Sequence, residues 1–137
     1  MGEPRIIGGE TMTPRFRAYD SGSLCRMYRP EEVLVCDDNI WVIDEDSWGN
    51  EWLLNNDLNL MQSTWFRDKN GKEIFEGDII DSTDGFMTGV VEFRESLGML
   101  VSNLVEYNNF ERLCNVASSR KIIGNIWEHP ELAEVKQ

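Results

Sequence analysis

Short runs in which apolar and polar side chains alternate recur along this chain, and turn-forming residues separate them. Alternation of this kind is the period of a β-strand with one buried face. Gly, Asp and Asn punctuate the runs, for example at Asp20-Ser21-Gly22, Asp37-Asp38-Asn39 and Asp84-Gly85. Ten segments fit strands: 16–19, 24–28, 33–36, 40–43, 60–66, 72–75, 78–80, 89–94, 99–104 and 121–126. Many short strands with regular turns predict a mainly β fold of antiparallel strands, not a parallel α/β fold.

Helix-forming signals are few. Asn50 is a good N-cap for a short helix over residues 50–54, and Pro130 suits the first position of another over 130–134. The segment 110–114 fits a strand and a helix equally. We therefore expect one or two short helices.

The strongest turn signal is Asn70-Gly71, which lies between two apolar-rich runs. Both residues tolerate positive φ, as a tight hairpin turn requires. This pattern predicts antiparallel strands through Trp65-Phe66 and Ile74-Phe75, with Gly71 at positive φ. Thereafter Glu76-Gly77-Asp78 forms a Gly-Asp turn into an apolar strand, which is how many small SH3-like barrels begin.

The segment from Leu60 to Ile80 reads L-M-Q-S-T-W-F-R-D-K-N-G-K-E-I-F-E-G-D-I-I. It resembles L-M-Q-x-T-G-L-x-D-K-N-G-K-x-I-Y-E-G-D-I-V, the pattern of the YopX family, small proteins of bacteriophages and prophages without an established activity. The segments 16–20 and 122–132 are similar to its opening and closing blocks, whereas 31–59 matches loosely. Trp65 stands where the family usually has Gly, which is expected to alter a turn or expose the ring. His129 replaces a usual Asn, which weakens an N-cap.

The resemblance implies a domain organisation. Residues 1–11 lie outside it and are expected to form a flexible tail, and residues 12–137 form one YopX-like domain. Within it, 12–59 is expected to be β-rich, and 60–137 to resemble an SH3-like small barrel. The chain has no apolar run of the ~20 residues that a membrane span needs, so we expect a cytoplasmic protein with no membrane partner.

Charge is unevenly distributed. The net charge is −12, and residues 31–60 hold nine acidic residues with no Lys or Arg. Aromatic residues accompany the acids there, and the candidate partner-binding set is Trp41, Asp44, Glu45, Asp46, Trp48, Glu51 and Trp52. Such a surface favours a basic protein partner and repels phosphate. The alternative is that the tryptophans fill the core and the acids form a solvated face.

Signals of catalysis or metal binding are weak. The only histidine, His129, precedes a proline, and Cys25, Cys36 and Cys114 are far apart without a C-x-x-C motif. No nucleotide-binding or zinc-protease motif occurs. The sequence therefore predicts a protein that is not an enzyme and has no catalytic residue, cofactor or metal site.

Three functions from different classes remain. The leading hypothesis is a noncatalytic phage or prophage accessory protein that binds a host or phage protein with a basic surface. The second is a small barrel that binds nucleic acid through Arg67, Lys69 and Lys72, or through Arg15, Arg17, Arg26 and Arg29, although the acidic charge disfavours it. A carboxylate-dependent hydrolase ranks last. The sequence leaves homo-oligomer formation open.

Overall fold

A computed structural model describes residues 6–7, 10–11, 14–43 and 51–135 of this chain. Every pair of adjacent strands is antiparallel among these residues. The strands are β1 Ile6–Ile7, β2 Glu10–Thr11, β3 Phe16–Asp20, β4 Arg26–Tyr28, β5 Val33–Cys36, β6 Asn39–Ile43, β7 Trp52–Leu54, β8 Asn59–Arg67, β9 Glu73–Phe75, β10 Asp78–Asp81, β11 Gly89–Arg94, β12 Met99–Leu104, β13 Phe110–Arg112 and β14 Lys121–Asn125. The predicted mainly β, antiparallel fold is confirmed, and its sheets include a half-barrel.

The described part of the chain contains little helix. One α-helical turn, α1, spans Leu113–Val116, and three 3₁₀ segments span Pro30–Glu32, Ala117–Ser119 and Pro130–Ala133. Pro130 occupies the start of the last segment, as predicted.

The chain divides into two compact units, residues 1–62 and residues 63–137. In the first unit, β3 pairs with β4 and with the beginning of β8, and β5, β6 and β7 form a separate three-stranded sheet. The core of this unit consists of the buried side chains Ala18, Tyr28, Ile40, Val42 and Leu58. Burial of these apolar groups is what stabilises the unit.

The second unit is built around a five-stranded sheet in the order β13-β12-β11-β10-β14. The end of β8 and β9 form a hairpin in the same unit. Its core consists of the buried side chains Ile74, Ile80, Val91, Leu113 and Ala117. The finer expectation of an SH3-like barrel in this half stays a prediction.

The β8–β9 hairpin confirms the turn prediction. Arg67 is paired with Glu73 across the hairpin, and Gly71 has φ +82°. A side chain is strained at such a φ, which explains the glycine. The β8 register shifts between Ser63 and Arg67, and Trp65 within this shift has φ +65°.

The predicted helix over residues 50–54 is wrong. Asn50 lies outside the described residues, and Trp52–Leu54 forms β7, which pairs with β6. Pairing with β6 outweighs the helix signal of this segment. A helix this short is not stable by itself, whereas the apolar side chains of Trp52–Leu54 gain contacts with the side chains of the neighbouring strand. The ambiguous segment 110–114 divides into the end of a strand and the beginning of α1.

Near the N-terminus, β1 pairs with β2 over two residues each. The predicted flexibility of residues 1–11 and the boundary at residue 12 stay predictions. Among the described residues, none of the helices has the length and apolar character that crossing a bilayer demands.

Candidate protein-binding face

The three-stranded sheet of the first unit has two apolar faces. Side chains alternate between the faces of a strand. Ile40 and Val42 of β6 point into the core, and Val33 of β5 packs against them. Trp41 and Ile43 therefore lie on the opposite, outer face.

Cross-strand pairing extends this outer face over all three strands. Trp41 is paired with Leu34 of β5 on one side and with Leu54 of β7 on the other. In the next row, Ile43 is paired with Trp52. These pairs form one continuous apolar surface, which we call the outer face. It consists of Leu34, Trp41, Ile43, Trp52 and Leu54.

Much of the outer face is accessible to solvent. Leu34, Trp52 and Leu54 are 46%, 42% and 53% exposed, and Trp41 and Ile43 are half-buried. Scattered exposed apolar residues are ordinary on a protein surface, whereas a contiguous patch marks an interaction site. β7 also lies at the end of the sheet among the described residues, where a further strand can pair with it.

Acidic residues lie next to the outer face in the sequence. Exposed Glu51 directly precedes Trp52. Of the predicted partner-binding residues, the structure thus brings Trp41 and Trp52 to one sheet, with Glu51 directly before its strand β7. The other four, Asp44, Glu45, Asp46 and Trp48, lie outside the described residues, in the segment that connects β6 to β7 in the sequence.

Sequence reasoning missed Leu34, Ile43 and Leu54. A helix was expected over residues 50–54, and that expectation hid the pairing of Leu54 with Trp41. The signal was available in Val33-Leu34-Val35-Cys36, because a strand without polar alternation has two apolar faces.

The predicted phosphate-contacting residues of the hairpin do lie close together. Arg67, Lys69 and Lys72 are all exposed at the β8–β9 turn. The Arg67 guanidinium donates a hydrogen bond to the Gly71 carbonyl at 2.8 Å, and the Lys69 ammonium donates one to Thr83 Oγ1 at 3.0 Å. Arg67 and Lys69 are therefore already engaged with neutral oxygens.

Two of the four alternative arginines of the first unit, Arg26 and Arg29, form ion pairs with acidic side chains. Arg26 forms an ion pair with the buried Glu32 at 2.6 Å and stacks over the Tyr28 ring at 4.4 Å. Arg29 pairs with the same carboxylate at 3.2 Å. An arginine neutralised in this way contributes little to phosphate binding.

The histidine has a structural position. His129 is half-buried, and its Nδ1 accepts a hydrogen bond from the Asn125 backbone N–H at 3.3 Å. Its ring covers Gly124 so closely that a β-carbon there would lie 2.7 Å from Nδ1. His129 was expected to weaken an N-cap, and it makes no side-chain cap hydrogen bond for the following 3₁₀ segment.

The cysteines are free and exposed at three separate places, Cys25, Cys36 and Cys114. Among the residues that the structure describes, no three His, Cys, Asp or Glu side chains are placed to hold a metal ion. The described side chains thus offer no positive indication of catalysis.

Comparison with known proteins shows which family the chain belongs to. The model of the YopX protein family matches residues 15–134. The chain belongs to the YopX family. Among solved structures, protein EF1440 from Enterococcus faecalis is 26% identical with a TM-score of 0.62, and the match covers 90% of this chain and 100% of that one.

A second solved structure, protein yopX from Bacillus subtilis, is 18% identical with a TM-score of 0.56. The match covers 86% of this chain and 96% of that one. This likeness confirms the fold. No curated protein shows significant similarity to the chain.

Proposed function

We propose that this YopX-family protein is a phage or prophage accessory protein that acts without catalysis, by binding a protein with a basic surface. The outer face of the three-stranded sheet is the observation that carries this proposal. It combines exposed apolar side chains with a flanking sequence from which Lys and Arg are absent.

The two properties of the outer face act at different stages of binding. Exposed Trp52 is an anchor of the type that dominates interface energetics, because tryptophan buries a large apolar area. The nine acids of residues 31–60 accelerate the encounter with a basic partner and repel acidic competitors. In this proposal the apolar contacts of the outer face provide most of the affinity, and the acidic charge selects the partner.

Nucleic acid binding has weaker support. Three exposed cations at the β8–β9 hairpin favour it, but phosphate neutralisation must overcome a net charge of −12. Two of these cations also have hydrogen-bond partners within the protein.

Affinity capture from a lysate of lysogenic bacteria, compared between variants, tests the proposal. The test variant is Trp52→Ala combined with Leu54→Ser, and the control is Leu97→Ser, an exposed leucine of the second unit. We expect a basic protein to be captured by wild type and by the control and to be lost with the test variant. The purified partner is then expected to bind wild type and control at least tenfold more tightly than it binds the test variant. Equal binding by all three proteins, or capture of nucleic acid alone, contradicts the proposal.

A further inference from the structure

The second unit contains a groove of about 650 Å³ whose walls come from four separate places in the chain. They are the end of β10 with its connection to β11, the connection between β12 and β13, strand β14, and the last 3₁₀ segment with the residue after it. None of the residues considered for the proposed function lies in this groove.

Two aromatic rings line the groove and are open to solvent. Phe86 is 68% exposed and Tyr107 is 51% exposed, although the chain has an apolar core in the same unit. The face of an aromatic ring carries negative electrostatic potential and attracts cations, most strongly when the cation loses part of its hydration. The rings therefore suit an organic cation.

Among the described residues, the charged side chains of the groove are all negative. They are the carboxylates of Asp81, Glu106, Glu131 and Glu134, and no Lys, Arg or His of the described part of the chain lines the groove. A groove lined by one sign of charge focuses the field and concentrates the opposite ion. Aromatic faces and carboxylates together match a guanidinium or an ammonium on a hydrocarbon stem.

Backbone hydrogen bonds fix the two loops that carry the rings. Buried Asp81 accepts hydrogen bonds from the backbone N–H groups of Ser82 at 2.8 Å and Met87 at 3.2 Å. The two loops are joined by a hydrogen bond of 2.9 Å from the Val105 N–H to the Thr88 carbonyl. Walls held in this way lose little conformational freedom when a ligand binds.

We infer that this groove binds an arginine or lysine side chain of a basic protein segment, with Phe86 and Tyr107 contacting the cation and the four carboxylates compensating its charge. The inference deepens the proposed function, on which its choice of a protein as the source of the cation rests. Its location in the second unit makes it separable from the outer face.

The first test uses the peptide acetyl-Gly-Arg-Gly-amide, titrated into the ¹⁵N-labelled full-length protein and followed by NMR. We expect the amide signals of Phe86, Thr88 and Tyr107 to shift and saturate. The matched peptide with citrulline in place of arginine keeps the shape and removes the charge, so it is expected to produce no saturable shift. Shifts confined to residues 31–60, or equal binding of the citrulline peptide, overturn the inference.

The second test removes the rings and keeps the net charge. Phe86→Ala combined with Tyr107→Ala is expected to weaken binding of the arginine peptide about tenfold. The control Leu97→Ala, another exposed apolar residue of this unit, is expected to retain wild-type affinity. Thermal unfolding of each variant verifies folding, and Phe86→Trp, which keeps an aromatic face, is expected to bind as well as wild type. Unchanged affinity of the double variant overturns the inference.

Two comparisons separate the sources and the sites. If spermidine binds as tightly as the arginine peptide and competes with it, the groove is a free polyamine site and the protein-side-chain assignment is wrong. The outer-face variant Trp52→Ala is expected to bind the arginine peptide normally. If capture from the lysate is lost with Trp52→Ala but the arginine peptide does not shift the groove signals, the groove inference alone is wrong. If the peptide binds in the groove but the protein captures no basic protein, the proposed function alone is wrong.

Discussion

The carboxylate of Asp68 accepts a hydrogen bond of 3.0 Å from the backbone N–H of Ile122, which lies 54 residues later in the chain. Its other oxygen accepts the N–H groups of Asn70 at 2.9 Å and Lys72 at 2.8 Å. One buried side chain therefore organises the β8–β9 turn and ties it to the beginning of β14. The surrounding N–H groups would lose their partner without it.

Asp68→Asn is expected to lower the free energy of unfolding at pH 7 by about 1–3 kcal/mol, the range for leaving buried polar groups unsatisfied. The amide of asparagine presents only one oxygen, so its NH₂ group faces a backbone donor. Chemical denaturation of the two proteins measures the difference. Equal stability would show that the three hydrogen bonds contribute nothing in solution.

The same carboxylate predicts a pH dependence. Desolvation raises the pKa of Asp68, but the hydrogen bonds from Ile122, Lys72 and Asn70 and the charge of Lys72 outweigh it, so its pKa lies below the ordinary value of 3.8. The unfolded chain then binds a proton more readily than the folded protein does. Stability from Asp68 is fully present well above the unfolded pKa, from about pH 5 upward, and is lost as the pH falls through the folded pKa. Wild type is expected to lose more stability than Asp68→Asn between pH 5 and pH 2.

Trp65 lies at φ +65°, where a β-carbon is strained, and its ring is 39% exposed. Glycine removes this strain and is the residue that the family segment usually has there. We expect Trp65→Gly to be more stable than Trp65→Ala by about 1 kcal/mol. The alanine variant is the matched control, because both substitutions remove the indole and only one retains the β-carbon. A more stable alanine variant would mean that the backbone relaxes away from positive φ.

At Gly71, we expect Gly71→Val to destabilise the protein by about 1 kcal/mol or more. No atom lies within 4 Å of a β-carbon built there, so the cost comes from φ +82° alone. Gly71→Asn is therefore expected to cost less than Gly71→Val, since asparagine tolerates this conformation. Urea denaturation of the three proteins ranks them, and equal losses for both substitutions would point to a cause other than φ.

Gly89 is needed for a different reason, because a β-carbon there would overlap Ser102 Oγ on the neighbouring strand β12. Gly89→Ala is expected to destabilise the second unit by about 1–3 kcal/mol, the cost of overpacking. In Gly89→Ala combined with Ser102→Ala, the nearest atom becomes the residue 102 β-carbon at 3.3 Å, so much of the loss is expected to be recovered. Additive losses in a double-mutant cycle would contradict this contact.

Local turn chemistry explains why much of the fold was predictable. Asn70-Gly71 determines a hairpin from adjacent residues, and the positive φ of Gly71 follows from the same two positions. The strand Trp52–Leu54 was not predictable in this way, because its structure depends on pairing with β6, beyond residues 44–50. The acid-aromatic composition grouped Trp41 and Trp52 as candidate partner-binding residues, and their position on one sheet follows from the pairing of β6 with β7.

The groove of the second unit could not be predicted from the sequence, because it too depends on contacts between distant segments of the chain. Phe86 and Tyr107 lie in two connections that the β11–β12 hairpin separates in sequence, and Glu131 joins them only after the sheet has folded. Single exposed aromatic residues are common and carry no signal individually. The two rings come to line one groove only because the sheet topology places their two connections next to each other.

The last prediction concerns charge and association. Replacing Asp44, Glu45 and Asp46 by Lys is expected to slow association with the basic partner, because it removes the attraction that steers the encounter, while leaving the free energy of unfolding nearly unchanged. The effect should be largest at low salt, because the Debye length falls to ~8 Å at physiological ionic strength. Stopped-flow association rates measure it, with Glu45→Lys and Glu95→Lys as matched single reversals inside and outside the acidic segment. Equal slowing by the two single reversals would mean that net charge alone steers association. Submicromolar binding of DNA by the wild-type protein at ~150 mM salt would contradict a basic protein partner. It would favour a nucleic-acid site at Arg67, Lys69 and Lys72.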